Sequence, residues 1–265
     1  MGNGKPAGKT NTMTKWVIPL LLLLPALVYL PGIAGGVPFP SENAPYSDFL
    51  ITHYPYTLYL KNSLVNHQVL PMWSSLIYSG MPFAANPLAG LFYLPGWIAM
   101  IFPLPSGISI ALALHVVFGT VGCYLYFKEE GVGNFPAIIG ALSFGLMPKI
   151  AAHYGAGHIS LIYAISWTPW LFLFRKRDSI GWVTGIAAGM LFLADPRWAV
   201  YAGILWIGYA IAYRQLDTWR KEIEYLSKSG LAAVLIASPL ILPLIEFSKL
   251  STRTSLSTED MMTLA

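Results

Sequence analysis

Residues Trp16 to Leu30 read WVIPLLLLLPALVYL, fifteen residues without a charge, and residues 1–15 before them are small, polar and basic (Lys5, Lys9, Lys15). Such a run behind a basic tail reads as a first membrane helix, or as a signal peptide cleaved near Gly32 and Ala34. In both readings the tail is cytoplasmic and the chain that follows lies outside. Working outward, further apolar runs recur at 91–104, 107–127, 135–152, 157–174, 180–194, 198–213 and 230–247. Of the 265 residues 55% are hydrophobic and 11% charged, against about 25% charged in a soluble domain, too few to coat a water-exposed surface. The fold class is therefore all-α, a polytopic transmembrane helical bundle.

Charge sets the orientation. Arg175, Lys176 and Arg177 form the densest basic cluster after the tail and belong in the cytoplasm. With residue 32 outside, an odd number of crossings must precede that cluster, and 107–127, 135–152 and 157–174 supply three. The run at 91–104 is short, contains Pro95 and Gly96, and reads as re-entrant or interfacial. Seven spanning helices result, with the N-terminus in and the C-terminus out, and eleven of the 16 Lys and Arg fall inside. The net charge of +4 then reflects cytoplasmic loops rather than a nucleic-acid partner. Cys123 is the single cysteine, which excludes a disulfide within the chain.

Three regions follow: a cytoplasmic tail over 1–15, a transmembrane module over 16–247 whose first external loop is 32–106, and the start of an external segment over 248–265. The abrupt stop after 248 predicts a longer protein, a short relative of one, or a partner chain that supplies the remainder. Within the long loop, Phe49, Tyr56, Leu60 and Leu64 recur at helical spacing, which predicts an interfacial helix inside Asp48–Gln68.

This topology gathers Glu42, Asp48, His53, His67, Lys149, His153, His158, Asp195, Arg197 and Glu246 on the external face. Ionisable groups at a membrane boundary are costly and often line a site. Asp48 reads as a general base taking a proton from a hydroxyl, or as a helix cap together with Ser47. His153 and His158 bracket a glycine-rich turn and read as ligands or as polar loop residues; their spacing is not that of a helical metal pair, and no metal site is assigned. Lys149 and Arg197 suit a phosphate, though Arg197 can equally pair with Asp195. His115, inside an apolar run, reads as bonded to a neighbouring helix.

The stretch Ser47 to Pro95 carries Asp48, Tyr54-Pro55, Pro71-Met72-Trp73, Gly80-Met81-Pro82 and Tyr93-Leu94-Pro95. In this order, followed by HYGAGHISLIYAISWTPWLFLF and LIEFSKLSTR, it resembles the YfhO-like bacterial membrane proteins of the GT-C class of integral-membrane glycosyltransferases. Ser74 stands where that family often has Asn, and Leu94 interrupts a Tyr-Pro step. The resemblance implies transfer of a sugar, with inversion, from a polyprenyl-phosphate donor to a cell-envelope glycan or polymer on the outer face of the plasma membrane. Asp48 would be the catalytic base. Arg197 and Lys149 would neutralise the departing phosphate, and His53, Tyr54, His153 and His158 would orient sugar or phosphate. No cofactor is implied, and a divalent metal is left open. Two other classes compete: a lipid or sugar transporter, which calls for mid-membrane charges and broken helices, and a non-catalytic assembly subunit.

Overall fold

The computed structural model describes residues 12–35, 47–76, 79–213 and 218–250. Most of the expected basic tail, Glu42 and the external segment after 250 lie outside the described residues. Apolar runs become helices because a helix satisfies its own backbone where water is absent. The chain opens with helix α1 (Thr12–Leu22), a 3-10 segment over Leu24–Tyr29 and α2 (Leu30–Gly35). Tyr29 from this entry is buried in the main core, its ring 4.6 Å from that of Tyr154.

The long loop is built around a helix. A π-helical turn over Phe49–His53 runs into α3 (Tyr54–Val65), as the spacing of Phe49, Tyr56, Leu60 and Leu64 predicts. Phe49 and Leu60 are buried, the latter in a small core with Phe83, Ala84, Ala89 and Leu91. The segment after α3 returns over that core as tight turns. Ser74 and Met81 exchange backbone hydrogen bonds of 2.9 and 2.8 Å, and the Asn86 side chain accepts from the Leu88 N–H. The run at 91–104 forms only a 3-10 turn over Leu94–Trp97 and the four-residue α4 (Ile98–Ile101), far short of the roughly 20 residues a crossing needs.

The bundle proper comprises α5 (Ser106–Glu129), α6 (Asn134–Gly145), α7 (Pro148–Ala156), α8 (Ile159–Arg177), α9 (Trp182–Ala194), α10 (Pro196–Ala212) and α11 (Trp219–Ser248). Four stretches have the length and composition of a membrane span: Val17–Gly35, Ser106–Glu129, Asn134–Ala156 and Trp219–Ser248. Among the described residues there is no strand, only the isolated Ser74–Met81 bridge. α5 packs along α8, and α9 lies between α8 and α11. Where α9 meets α11 the backbones approach so closely that a Cβ on Gly185 would overlap the Ser229 carbonyl, the small-residue contact typical of membrane helices.

Three boundaries differ from the sequence expectation. The run at 135–152 is two helices, broken where Met147 is extended ahead of Pro148; proline restricts the residue before it and favours the first helical position. The second helix carries on to Ala156, so His153 is helical, and the turn narrows to Gly157, whose φ is +79°. Last, α11 starts eleven residues before the apolar run at 230. Its polar first turns bury Glu222, Tyr225 and Ser229, which lie three and four residues apart on one helix face.

The predicted cytoplasmic cluster is a set of ion pairs. Arg175 bonds both oxygens of Glu222 at 2.6 and 2.8 Å, and its guanidinium stacks 4.3 Å from the Tyr225 ring. Lys176 reaches Glu130 at 3.0 Å, and Arg177 pairs with Glu129. These contacts tie together the C-terminal ends of α5 and α8 and the start of α11.

His115, expected to bond a neighbouring helix, instead bonds the loop and its own helix and meets α8 only through its ring. Its Nε2 bonds the Tyr93 hydroxyl at 2.8 Å, its Nδ1 meets the Ala111 carbonyl, and its ring stacks on Tyr163 at 3.9 Å. Trp167 donates to the same Tyr93 oxygen. The Tyr93-Leu94-Pro95 segment is thereby fixed to α5 and α8.

Candidate active site

At the end of α8 opposite the Arg175 pair, three connections meet. Ser47 accepts from the Leu50 N–H at 3.4 Å and serves as the helix cap, while Asp48 makes no capping bond. The Asp48 carboxylate instead lies 3.2 Å from His158 Nε2, with its side chain 43% exposed. His158 precedes the first turn of α8, and its Nδ1 is 3.0 Å from Nδ1 of His153 near the end of α7. The turn between them sits on the start of the loop helix: a Cβ on Gly157 would fall 2.5 Å from the Phe49 nitrogen. Gly157→Ala therefore meets both a left-handed backbone, which costs about 1–2 kcal/mol, and a clash that pushes Phe49 and Asp48 away from His158. The expected result is a lower unfolding midpoint together with a weakened site, read by thermal melts and by activity.

Asp195 organises the third connection. Aspartate followed by proline is a strong helix start, and its side chain accepts from the Arg197 and Trp198 backbone N–H groups at the head of α10. It also accepts from the Ser160 hydroxyl at 2.8 Å and from the Arg197 side chain, Nε at 3.1 Å and Nη2 at 2.7 Å. Burial would raise the Asp195 carboxyl, but the hydrogen bonds from Arg197 and Ser160 outweigh it and hold it below the usual carboxylate range. The ion-pair reading of Arg197 is thus realised. The pair uses Nε and Nη2 of a side chain that is 57% exposed. Lys149, one turn before His153, places its ammonium 5.2 Å from the Trp198 ring centroid.

His53 is buried beside this group. With Ser160, Tyr93, Tyr163 and Thr57 it lines a cavity of about 50 Å³ between α3, the 87–100 turns and α8. Burial pushes its imidazole down to about 4, with Asp195 opposing and His158 and Arg197 reinforcing the shift. The unfolded histidine binds a proton below about 6.5, so the stability held in neutral His53 is present above that pH and is lost as pH falls toward 4. By pH 5 the loss is about 2 kcal/mol. Melting midpoints from pH 7.5 to 5 should fall more steeply in the wild type than in His53→Gln; parallel slopes would contradict the burial argument.

Of the residues expected to meet here, Asp48, His53, Lys149, His153, His158 and Arg197 do. Tyr54 does not: it packs beside Phe49 against the main core. His67 lies beyond the far end of α3, about 20 Å of helix away from His53. Glu246 is exposed near the end of α11, and no hydrogen bond or ion pair among those described links it to the cluster. Sequence reasoning underrated Asp195 and missed Ser160; the Asp-Pro step signals the first, whereas the second is one serine among many. Among the described residues no group of three metal-ligating side chains is arranged to hold an ion.

The helices and this charged end define a polytopic all-α membrane protein with a polar site at one end of its bundle. A curated protein of Pseudomonas fluorescens, undecaprenyl phosphate-alpha-4-amino-4-deoxy-L-arabinose arabinosyl transferase 2, is 25% identical over 247 residues, covering 89% of this chain. The chain spans 39% of that relative's length. No family profile and no solved structure matches it.

Proposed function

We propose that this chain is the glycosyl-transferring part of a membrane enzyme that moves a sugar from a polyprenyl-phosphate donor to a cell-envelope acceptor at the non-cytoplasmic face. One observation carries the reading: Asp48, the His153–His158 pair, Arg197 and Lys149 converge from three separate parts of the chain at one end of the bundle. The similarity to a transferase named for an undecaprenyl-phosphate sugar supports the class of donor.

The chemistry follows from the charges. A lipid-linked donor keeps its tail in the bilayer and presents its phosphate at the interface, where the Arg197 guanidinium and the Lys149 ammonium supply positive charge. As the bond from the anomeric carbon to the phosphate oxygen breaks, charge builds on the phosphate, and fixed cations there stabilise the transition state. The acceptor oxygen attacks from the opposite side, giving inversion, and its proton must be removed. Asp48 is the carboxylate that makes this end of the site basic. His53, buried and neutral, and Ser160 face the adjoining cavity, where they can bond sugar hydroxyls.

The test uses purified full-length protein in nanodiscs with a radiolabelled polyprenyl-phosphate sugar. Release of polyprenyl phosphate, dependent on added acceptor, is expected. A donor left intact in the presence of envelope extracts would overturn the reading and favour an assembly or transport role.

A further inference from the structure

Two contacts decide which atom of the site has a lone pair to offer. Asp48 Oδ2 lies 3.2 Å from His158 Nε2. A ring lone pair facing a carboxylate oxygen at that distance is repelled, so Nε2 carries the hydrogen. With His158 neutral, one ring nitrogen donates and the other accepts, so its Nδ1 bears a lone pair. Its partner is His153 Nδ1 at 3.0 Å, which must then be the donor. The remaining nitrogen, His153 Nε2, is left as a proton acceptor. An ionised Asp48 thus fixes the tautomers of two histidines in series.

We propose that His153 Nε2 is the general base that takes the acceptor hydroxyl's proton, with Asp48 and His158 as positioning residues that hold its tautomer. The proposal rests on the glycosyl-transfer reading above and deepens it. In the step, the acceptor O–H bond breaks as its oxygen forms a bond to the anomeric carbon. The anomeric carbon–phosphate oxygen bond breaks in turn, and its electron pair leaves on the phosphate. The proton arrives at His153 Nε2. The Nδ1 proton of His153 then passes along the 3.0 Å contact to His158 Nδ1, and the positive charge comes to rest on the His158 imidazolium beside Asp48. Carboxylate and imidazolium form an ion pair at that point, which stabilises the protonated state in the manner of a triad aspartate.

Among the described residues, charged and titratable groups face His153 from each element that meets there. Lys149 lies one turn earlier on α7, and Arg197 and Asp195 come from the head of α10. His158 stands at the start of α8 and Asp48 at the start of the loop helix. None of the others completes a hydrogen-bonded chain to an ionised carboxylate through a neutral ring. His53, the other imidazole of the site, is 6% exposed and lies away from the open side.

His153→Asn separates the roles, because the Asn amide can still donate to His158 Nδ1 but offers nothing at the Nε2 position. On nanodisc-embedded full-length protein, we expect this variant to lose at least about 100-fold in kcat with donor KM and melting midpoint near wild type. Imidazole ¹⁵N spectra of histidine-labelled wild type, assigned by difference against His153→Asn, should show a protonated Nδ1 and a bare Nε2 on His153. In Asp48→Asn that preference should weaken. If the wild type transfers sugar and His153→Asn retains its kcat, or if His153 carries its hydrogen on Nε2 at the pH of assay, the base is not His153, and the glycosyl-transfer reading is untouched. If the wild type releases no polyprenyl phosphate, that reading falls and this proposal with it.

Discussion

Asp48→Asn is expected to abolish the proposed sugar transfer while leaving the fold intact. The expected loss is at least about 100-fold and reaches 10⁴-fold where a carboxylate fixes a histidine tautomer. Three features of the structure argue that the damage is confined to chemistry. Asp48 does not cap its helix, a task done by Ser47. Its side chain is 43% exposed, so the substitution opens no cavity. Asparagine also has nearly the same shape and keeps an oxygen that can face His158. Initial rates of polyprenyl phosphate release, measured beside thermal melts of the same preparations, check both halves. A variant working within threefold of wild type removes Asp48 from the mechanism.

The second large effect lies at the other end of the bundle and concerns stability alone. Arg175 and Glu222 are 1% and 0% exposed and face each other in a two-pronged ion pair. Glu222→Ala leaves a guanidinium buried against the Tyr225 ring without its carboxylate, and among the described residues Arg175 Nε already lacks a hydrogen-bond partner. Breaking one side of a buried pair costs about 3–5 kcal/mol, whereas replacing both partners with apolar groups is often neutral. The melting midpoint should therefore fall by on the order of 10 °C in Glu222→Ala and recover largely in Arg175→Met/Glu222→Leu. Transfer per folded molecule should not change in the double variant, because the pair stands a helix length from Asp48. A single variant that melts like the wild type would show that the pair contributes nothing.

What the sequence made legible was what local chemistry decides. Apolar runs marked the helices, and the spacing of Phe49 and Leu60 marked the helix in the long loop. The contraction of 91–104 into short turns was also readable, from Pro95, Gly96 and the run's length. Pairings between distant segments were not. Asp48 and His158 are far apart in the chain, and nothing local to either announces the other. The same holds for Arg175 and Glu222, 47 residues apart; the basic cluster was read for orientation alone, and its acidic partners were not foreseen. The early start of α11 was within reach, since Glu222, Tyr225 and Ser229 share one helical face, but their polarity hid a pattern sought only in apolar residues. The break before Pro148 was missed because hydropathy runs through it unchanged.

α8 holds His158 at one end and Arg175 at the other, about 25 Å apart along a helix rising 1.5 Å per residue. Neither end is free to slide: one is anchored by the α7 turn and Asp48, the other by a buried carboxylate. The helix is therefore a ruler of fixed length between two anchors, and a lipid bilayer of different thickness cannot stretch it. The molecule answers by tilting as a body or by bending the lipid around it. In the proposed reading, the height of the His158 end above the membrane midplane is thus built into the protein, and lipid chain length becomes a means of moving the site toward or away from a phosphate held at the interface.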